Sequence, residues 1–150
     1  MEQKVYFYLK QKDDWPPFAS EFIWANSLGD DRYQLNNIPF FAEGVSFGDV
    51  IKADIQNGNP WFVNIVKAST NSTLRVFCFD TQKKIEFSKW LGQNSCMSEL
   101  GFEGEYIVAN IPGTIDIDAL EQFLADIEEP GQFEFEFSCL RLVLVSLRDD

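Results

Sequence analysis

The chain contains no histidine. Catalysis that relies on an imidazole base is therefore excluded, Ser-His and Cys-His pairs included, as are most zinc sites. Bases are scarce: 12 lysines and arginines face 24 aspartates and glutamates, a net charge of −12 and a pI near 4.3. Binding a phosphate backbone needs clustered Lys and Arg, so nucleic acid is excluded as a partner, and an anionic membrane surface with it. The three cysteines, Cys78, Cys96 and Cys139, are an odd number with neither paired nor metal-ligand spacing. That fits a reducing cytoplasm better than a disulfide framework. No apolar run reaches membrane-spanning length, and the start lacks the charged, apolar and cleavage regions of a secretory signal. Neither a Gly-Lys-Ser/Thr phosphate loop nor Gly-x-Gly-x-x-Gly occurs. The expectation is a cytoplasmic protein with no cofactor and no metal.

What is present is core material and acid. At 150 residues, 45% hydrophobic and 15% aromatic, the chain suits one compact domain or two small lobes. The acid is unevenly spread. Residues 1–70 hold nine acids and six bases, a net of −3; residues 71–150 hold fifteen and six, a net of −9. Between Trp90 and Leu140 there are eleven carboxylates and no lysine or arginine. A surface of one sign repels itself and costs stability, which points to a basic partner.

The first half reads as a β meander. Residues 4–9 form a strand, broken by Asp13-Asp14-Trp15-Pro16-Pro17, because neither proline can donate to a ladder. Glu21 to Asn26 and Arg32 to Asn36 pair across Leu28-Gly29-Asp30-Asp31. Asn37-Ile38-Pro39-Phe40-Phe41 leaves the sheet. Asp49 to Gln56 alternates, with Ile51, Ala53 and Ile55 on one face. Asn57-Gly58 is a strong hairpin signal, since both turn positions need positive φ, and Trp61 to Lys67 returns.

The second half alternates strands and helices. Ser72 to Phe79 is a strand. Lys84 to Leu91 is a short helix with Ile85, Phe87 and Trp90 as apolar contacts. Cys96 to Phe102 and Glu105 to Asn110 are strands. Over Asp116 to Glu129, Leu120, Phe123, Leu124 and Ile127 fall at helical spacing, one buried face. Pro130-Gly131 ends that helix, and Phe133, Phe135 and Phe137 alternate with Glu134 and Glu136 as a half-buried strand. The fold class is α+β: a barrel-like meander over 1–70 packed with a ferredoxin-like βαββαβ unit over 71–150. The apolar tail Leu140 to Leu147 is expected to add an edge strand or an interface.

The run Trp24-Ala25, then Leu28-Gly29-Asp30-Asp31-Arg32-Tyr33-Gln34-Leu35-Asn36-Asn37-Ile38-Pro39-Phe40-Phe41-Ala42-Glu43-Gly44-Val45-Ser46-Phe47-Gly48-Asp49-Val50, is distinctive. With Ser72-Thr73-Leu74-Arg75-Val76 and a later strand, Pro-Gly, helix and strand ending near Cys139-Leu140, it resembles an uncharacterised bacterial family, domain of unknown function 4265. The resemblance covers roughly Phe22 to Leu140. It implies a fold and a bacterial origin, and no established activity.

Each polar constellation has a structural and a functional reading. Asp116-x-Asp118-x-x-Glu121 hints at calcium but lacks the EF-hand glycine, so Asp116 and Asp118 read as helix-start residues. Phe40, Phe41 and Phe47 are core material or, alternatively, the walls of a candidate ligand groove. Glu128 and Glu129 in the last helical turn oppose the helix dipole. Glu134 and Glu136 share one strand face about 6.8 Å apart. With Glu103 and Glu105 they make a candidate docking surface for a basic protein, with Trp15 and Trp61 as aromatic anchors and Arg75 as a neutralising partner. The reading is a non-enzymatic immunity or inhibitor protein that occludes a cognate basic toxin or effector. A small-ligand regulatory module and an acidic nucleic-acid mimic are the alternatives, and homodimerisation stays open.

Overall fold

The computed structural model describes residues 2–141. Among the described residues it is a mixed α+β chain with two α-helices, built as two compact units that divide between Ser69 and Thr70. No helix among the described residues is long and apolar enough to cross a membrane.

In the first unit β1 (Glu2–Tyr8), β2 (Ser20–Gly29), β3 (Arg32–Leu35), β4 (Val50–Gln56) and β5 (Asn59–Lys67) pair in chain order, and the sheet closes on itself. The neighbours in sequence are antiparallel. An up-and-down meander with an odd number of strands must close through a parallel pair, and here β1 meets β5 in parallel at Tyr6 and Trp61. Two tight turns set the register. Asp30 and Asp31 have φ of 53° and 61°, and Asn57 and Gly58 have 53° and 82°. Two successive positive φ values match the right-handed twist of the flanking strands. Inside pack Val5, Phe7, Ile23, Ala25, Tyr33, Leu35, Ile51 and Ala53, joined by Ala42 and Val45 from the loop between β3 and β4. The alternation of β4 holds for Ile51 and Ala53, but Ile55 is exposed where the strand runs out towards its turn.

The second unit runs β6 (Ser72–Cys78), α1 (Thr81–Gln93), β7 (Ser98–Gly101), β8 (Tyr106–Ile111), α2 (Ile117–Ile127) and β9 (Phe133–Cys139). Its sheet has the order β7-β8-β6-β9, every pair antiparallel. The central strands β6 and β8 are almost continuously buried. This is why residues 72–79 show no clean alternation: both faces are covered, and Arg75 lies among apolar residues.

Helix α2 begins as its sequence suggests. The Asp116 carboxylate accepts from the N–H groups of Asp118 and Ala119, satisfying donors the first turn leaves free. Leu120, Leu124 and Ile127 bury one face, each leucine contributing about 2 kcal/mol by area. Phe123 is only part-buried and stacks on Trp90 at 5.7 Å. Helix α1 is longer than the apolar spacing suggests, because Asp80 caps it through the Lys83 N–H at 2.9 Å. Its buried contacts are Phe87 and Leu91. Ile85 is exposed, a correction to the expected apolar face: Phe87 and Leu91, four apart, define the stripe, and Ile85 lies off it. The expected tail strand from Leu140 onwards lies, after Arg141, outside the described residues.

Candidate functional site

The acidic turn after α2 differs from expectation. The helix stops at Ile127, so Glu128 is the residue leaving it and Glu129 lies beyond. Neither lies within the helix, though Glu128, as its C-cap, still stands at the negative end of the dipole. Glu129 exchanges backbone hydrogen bonds with Phe133 at 2.9 and 3.0 Å. Its carboxylate faces Lys83 at 3.5 Å, while the Lys83 ammonium donates to the carbonyl of Ile127 at 2.8 Å. Glu134 accepts from the N–H of Gly131 at 2.9 Å and so pins the turn.

Glu136 lies opposite Arg75 in the β6–β9 ladder and pairs with it at 2.8 Å. The guanidinium is 5% exposed and the carboxylate 62%. The Glu136 carboxylate is one partner of an almost buried cation, so Glu136→Ala should cost about 1.5 kcal/mol in a urea titration, less than a fully buried pair would lose. A loss below about 0.5 kcal/mol, the usual scatter of surface changes, would make the pair incidental. Three of the four acids around this turn thus serve the fold. Glu128, Glu103 and Glu105 remain solvent-exposed.

The first unit presents a surface the sequence did not reveal. On the outer face of β1 and β2, Lys4 lies opposite Trp24, and Tyr6 opposite Phe22. Trp61 lies within β5, beside Tyr6. The rings form a continuous row: Trp24 to Phe22 at 5.8 Å, Phe22 to Tyr6 at 6.2 Å, Tyr6 to Trp61 at 5.3 Å, Trp61 to Tyr8 stacked at 4.0 Å. The Lys4 ammonium sits over Phe22 at 4.5 Å and over Trp24 at 5.5 Å, favourable cation–π placements. Tyr8 is 70% exposed, and Phe22 and Trp24 are also exposed. The five rings form one row in which Tyr8, Phe22 and Trp24 are exposed and Tyr6 and Trp61 half-buried.

The loop between β3 and β4 carries Phe40, Phe41 and Phe47. Phe41 is buried and packs against Phe18, Phe40 and the edge of Trp15. Phe40 and Phe47 are half-buried. Two carboxylates hold the loop. Glu21 accepts from the backbone N–H groups of Phe40, Phe41 and Ala42, at 3.1, 2.9 and 2.6 Å. Asp49, fully buried, accepts from the N–H of Ser46 at 3.0 Å and of Ser69 at 2.8 Å. Trp15 stands in the turn after β1, half-buried, and away from the aromatic row in sequence and pairing.

Two of the three cysteines, Cys78 and Cys96, are made poorer nucleophiles by burial. Burial pushes the Cys78 thiol up, outweighing the backbone hydrogen bonding at Asp80 and the nearby Lys84. Burial also pushes Cys96 up. Among the described residues no three His, Cys, Asp or Glu side chains converge as metal ligands.

The class these features define is a two-unit α+β protein with an exposed aromatic face and a strongly acidic field. The family model described as domain of unknown function (DUF4265) matches residues 21–135, most of the chain, and the chain belongs to that family. A crystal structure of a hypothetical protein from Neisseria gonorrhoeae is similar in fold: the TM-score is 0.79 at 20% identity, covering 95% of this chain and 98% of that one. No curated protein matches.

Proposed function

We propose that this chain is a non-catalytic, cytoplasmic inhibitor of the immunity type, which docks on a basic toxin or effector and occludes it. The observation that carries the reading is the aromatic row Trp24-Phe22-Tyr6-Trp61-Tyr8, three of whose rings are exposed and two half-buried. Rigid aromatic rings supply large contact area at little entropic cost and dominate the energy of protein interfaces. The net charge of −12 supplies the rest: it steers a basic partner towards the protein from a distance. The absence of histidine and the raised thiols leave few groups poised for chemistry.

The finer architecture supports a scaffold of this kind. The closed β1–β5 sheet supports a barrel reading of the first unit. The order β7-β8-β6-β9, with a helix after β6 and another after β8, supports a ferredoxin-like reading of the second. A nucleic-acid mimic fits less well, because Glu129, Glu134 and Glu136 are tied to Lys83, Gly131 and Arg75 rather than spaced as free charges.

The test uses the product of the adjacent open reading frame. A complex with it at low salt is expected on size-exclusion chromatography. The double substitution Tyr8→Ser and Phe22→Ser, at exposed positions, should weaken it by at least about thirtyfold. No complex at low salt would overturn the reading.

A further inference from the structure

We propose that the outer edge of β7 is a strand-addition site, taking an extended segment of the basic partner as a fifth strand of the second sheet. The inference rests on the reading above for its partner, and on β7 itself for its geometry. β7 stands at the end of the sheet and pairs with β8 in an unbroken register from Ser98–Ala109 to Gly101–Tyr106. Among the described residues nothing pairs with its other side. Proteins guard such edges with lysine, proline or a bulge. Ser98-Glu99-Leu100-Gly101 has none of these; its protections are shortness and the single charge of Glu99.

The side chains there specify the occupant. Leu100 is 61% exposed and is flanked by exposed Met97 and Phe102. Glu99, Glu103 and Glu105 are exposed as well, and among the described residues none has an ion-pair partner. Lys84, whose ammonium lies beside Gly104, is the cation this turn meets. Glu99 and Leu100 point to opposite faces of the sheet, because side chains alternate along a strand. An added strand must therefore offer a base opposite Glu99 and an apolar residue opposite Leu100. A segment alternating basic and apolar residues meets both demands. A second copy of this chain does not, since edge-to-edge pairing sets the acids of one copy against those of the other, each copy carrying −12.

The probe is an acetylated, amidated octapeptide of alternating lysine and valine, titrated into nitrogen-15-labelled protein. Amide shifts are expected to concentrate on residues 97–105 and on their β8 neighbours. Two further peptides are N-methylated at the lysines or at the valines, which blocks one edge of the added strand or the other. One of these should lose at least tenfold in affinity while the other keeps it, and Glu99→Lys should weaken the parent peptide tenfold. Shifts scattered over residues 128–136, or equal binding of both methylated peptides, would mean attraction by charge alone and would overturn the site. Peptide and full partner separate the two proposals. A complex with the adjacent gene's product that leaves β7 amides unshifted overturns strand addition and preserves the inhibitor reading. Peptide bound at β7 with no such complex does the reverse.

Discussion

Asp49→Ala should destabilise the chain by about 3 kcal/mol, read as a lower midpoint in a urea titration at unchanged slope. The carboxylate is fully buried and accepts two backbone N–H groups, from Ser46 and Ser69. Alanine strands both donors away from water, and an unmet buried donor costs more than the bond itself gives. The two bonds also span the loop: Ser46 lies within it, and Ser69 follows β5. The Asp49 carbonyl in turn accepts from the N–H of Leu35 at the end of β3. Asp49→Asn keeps one acceptor oxygen and should lose about half as much. Equal stability of wild type and Asp49→Ala would show that the loop is held by its apolar residues alone.

Gly113→Ala should cost about 2–3 kcal/mol, the range for overpacking a dense site. The glycine is there for space. A methyl group at 113 would lie 2.7 Å from the Cβ of Thr70 and 2.9 Å from its carbonyl oxygen. Both residues belong to the second unit. Because two of the clashing atoms, Cβ and Oγ1, are side chain and one is backbone, Thr70→Gly should recover part of the loss and not all of it. Full recovery in the double variant, or no loss in the single one, would mean the chain shifts freely at Thr70.

Local chemistry was legible in the sequence, and the choice of face was not. The Asn57-Gly58 turn, the Asp116 cap and the Leu120-Leu124-Ile127 stripe are written in adjacent residues, and the structure has all three. The aromatic row was hidden because β1 and β2 are apolar on both parities. Val5 and Phe7 alternate with Tyr6 and Tyr8, and Ile23 and Ala25 with Phe22 and Trp24, so the pattern alone cannot say which set faces inward. Closure of the sheet decides it by putting the smaller set inside. Glu21 was invisible for another reason. Its partners are backbone groups 19 to 21 positions away, and backbone donors leave no trace in residue type. Glu129 and Glu134 looked like surplus charge because Lys83 and the Gly131 N–H reach them through turns, whereas Arg75 was already the expected neutraliser across the sheet and pairs with Glu136. The buried setting of Arg75 was masked by the coverage of both faces of β6.

The Glu21 clamp has a consequence for how relatives of this chain can diverge. It grips peptide N–H groups, which every residue except proline carries. Positions 40 to 42 can therefore drift in side chain without loosening the clamp, whereas position 21 cannot change without releasing three donors at once. Lineages should tolerate many residues at 40, exclude proline from 40 to 42, and hold an acid at 21. A phenylalanine retained at 40 across distant relatives would then report selection for something other than holding the loop.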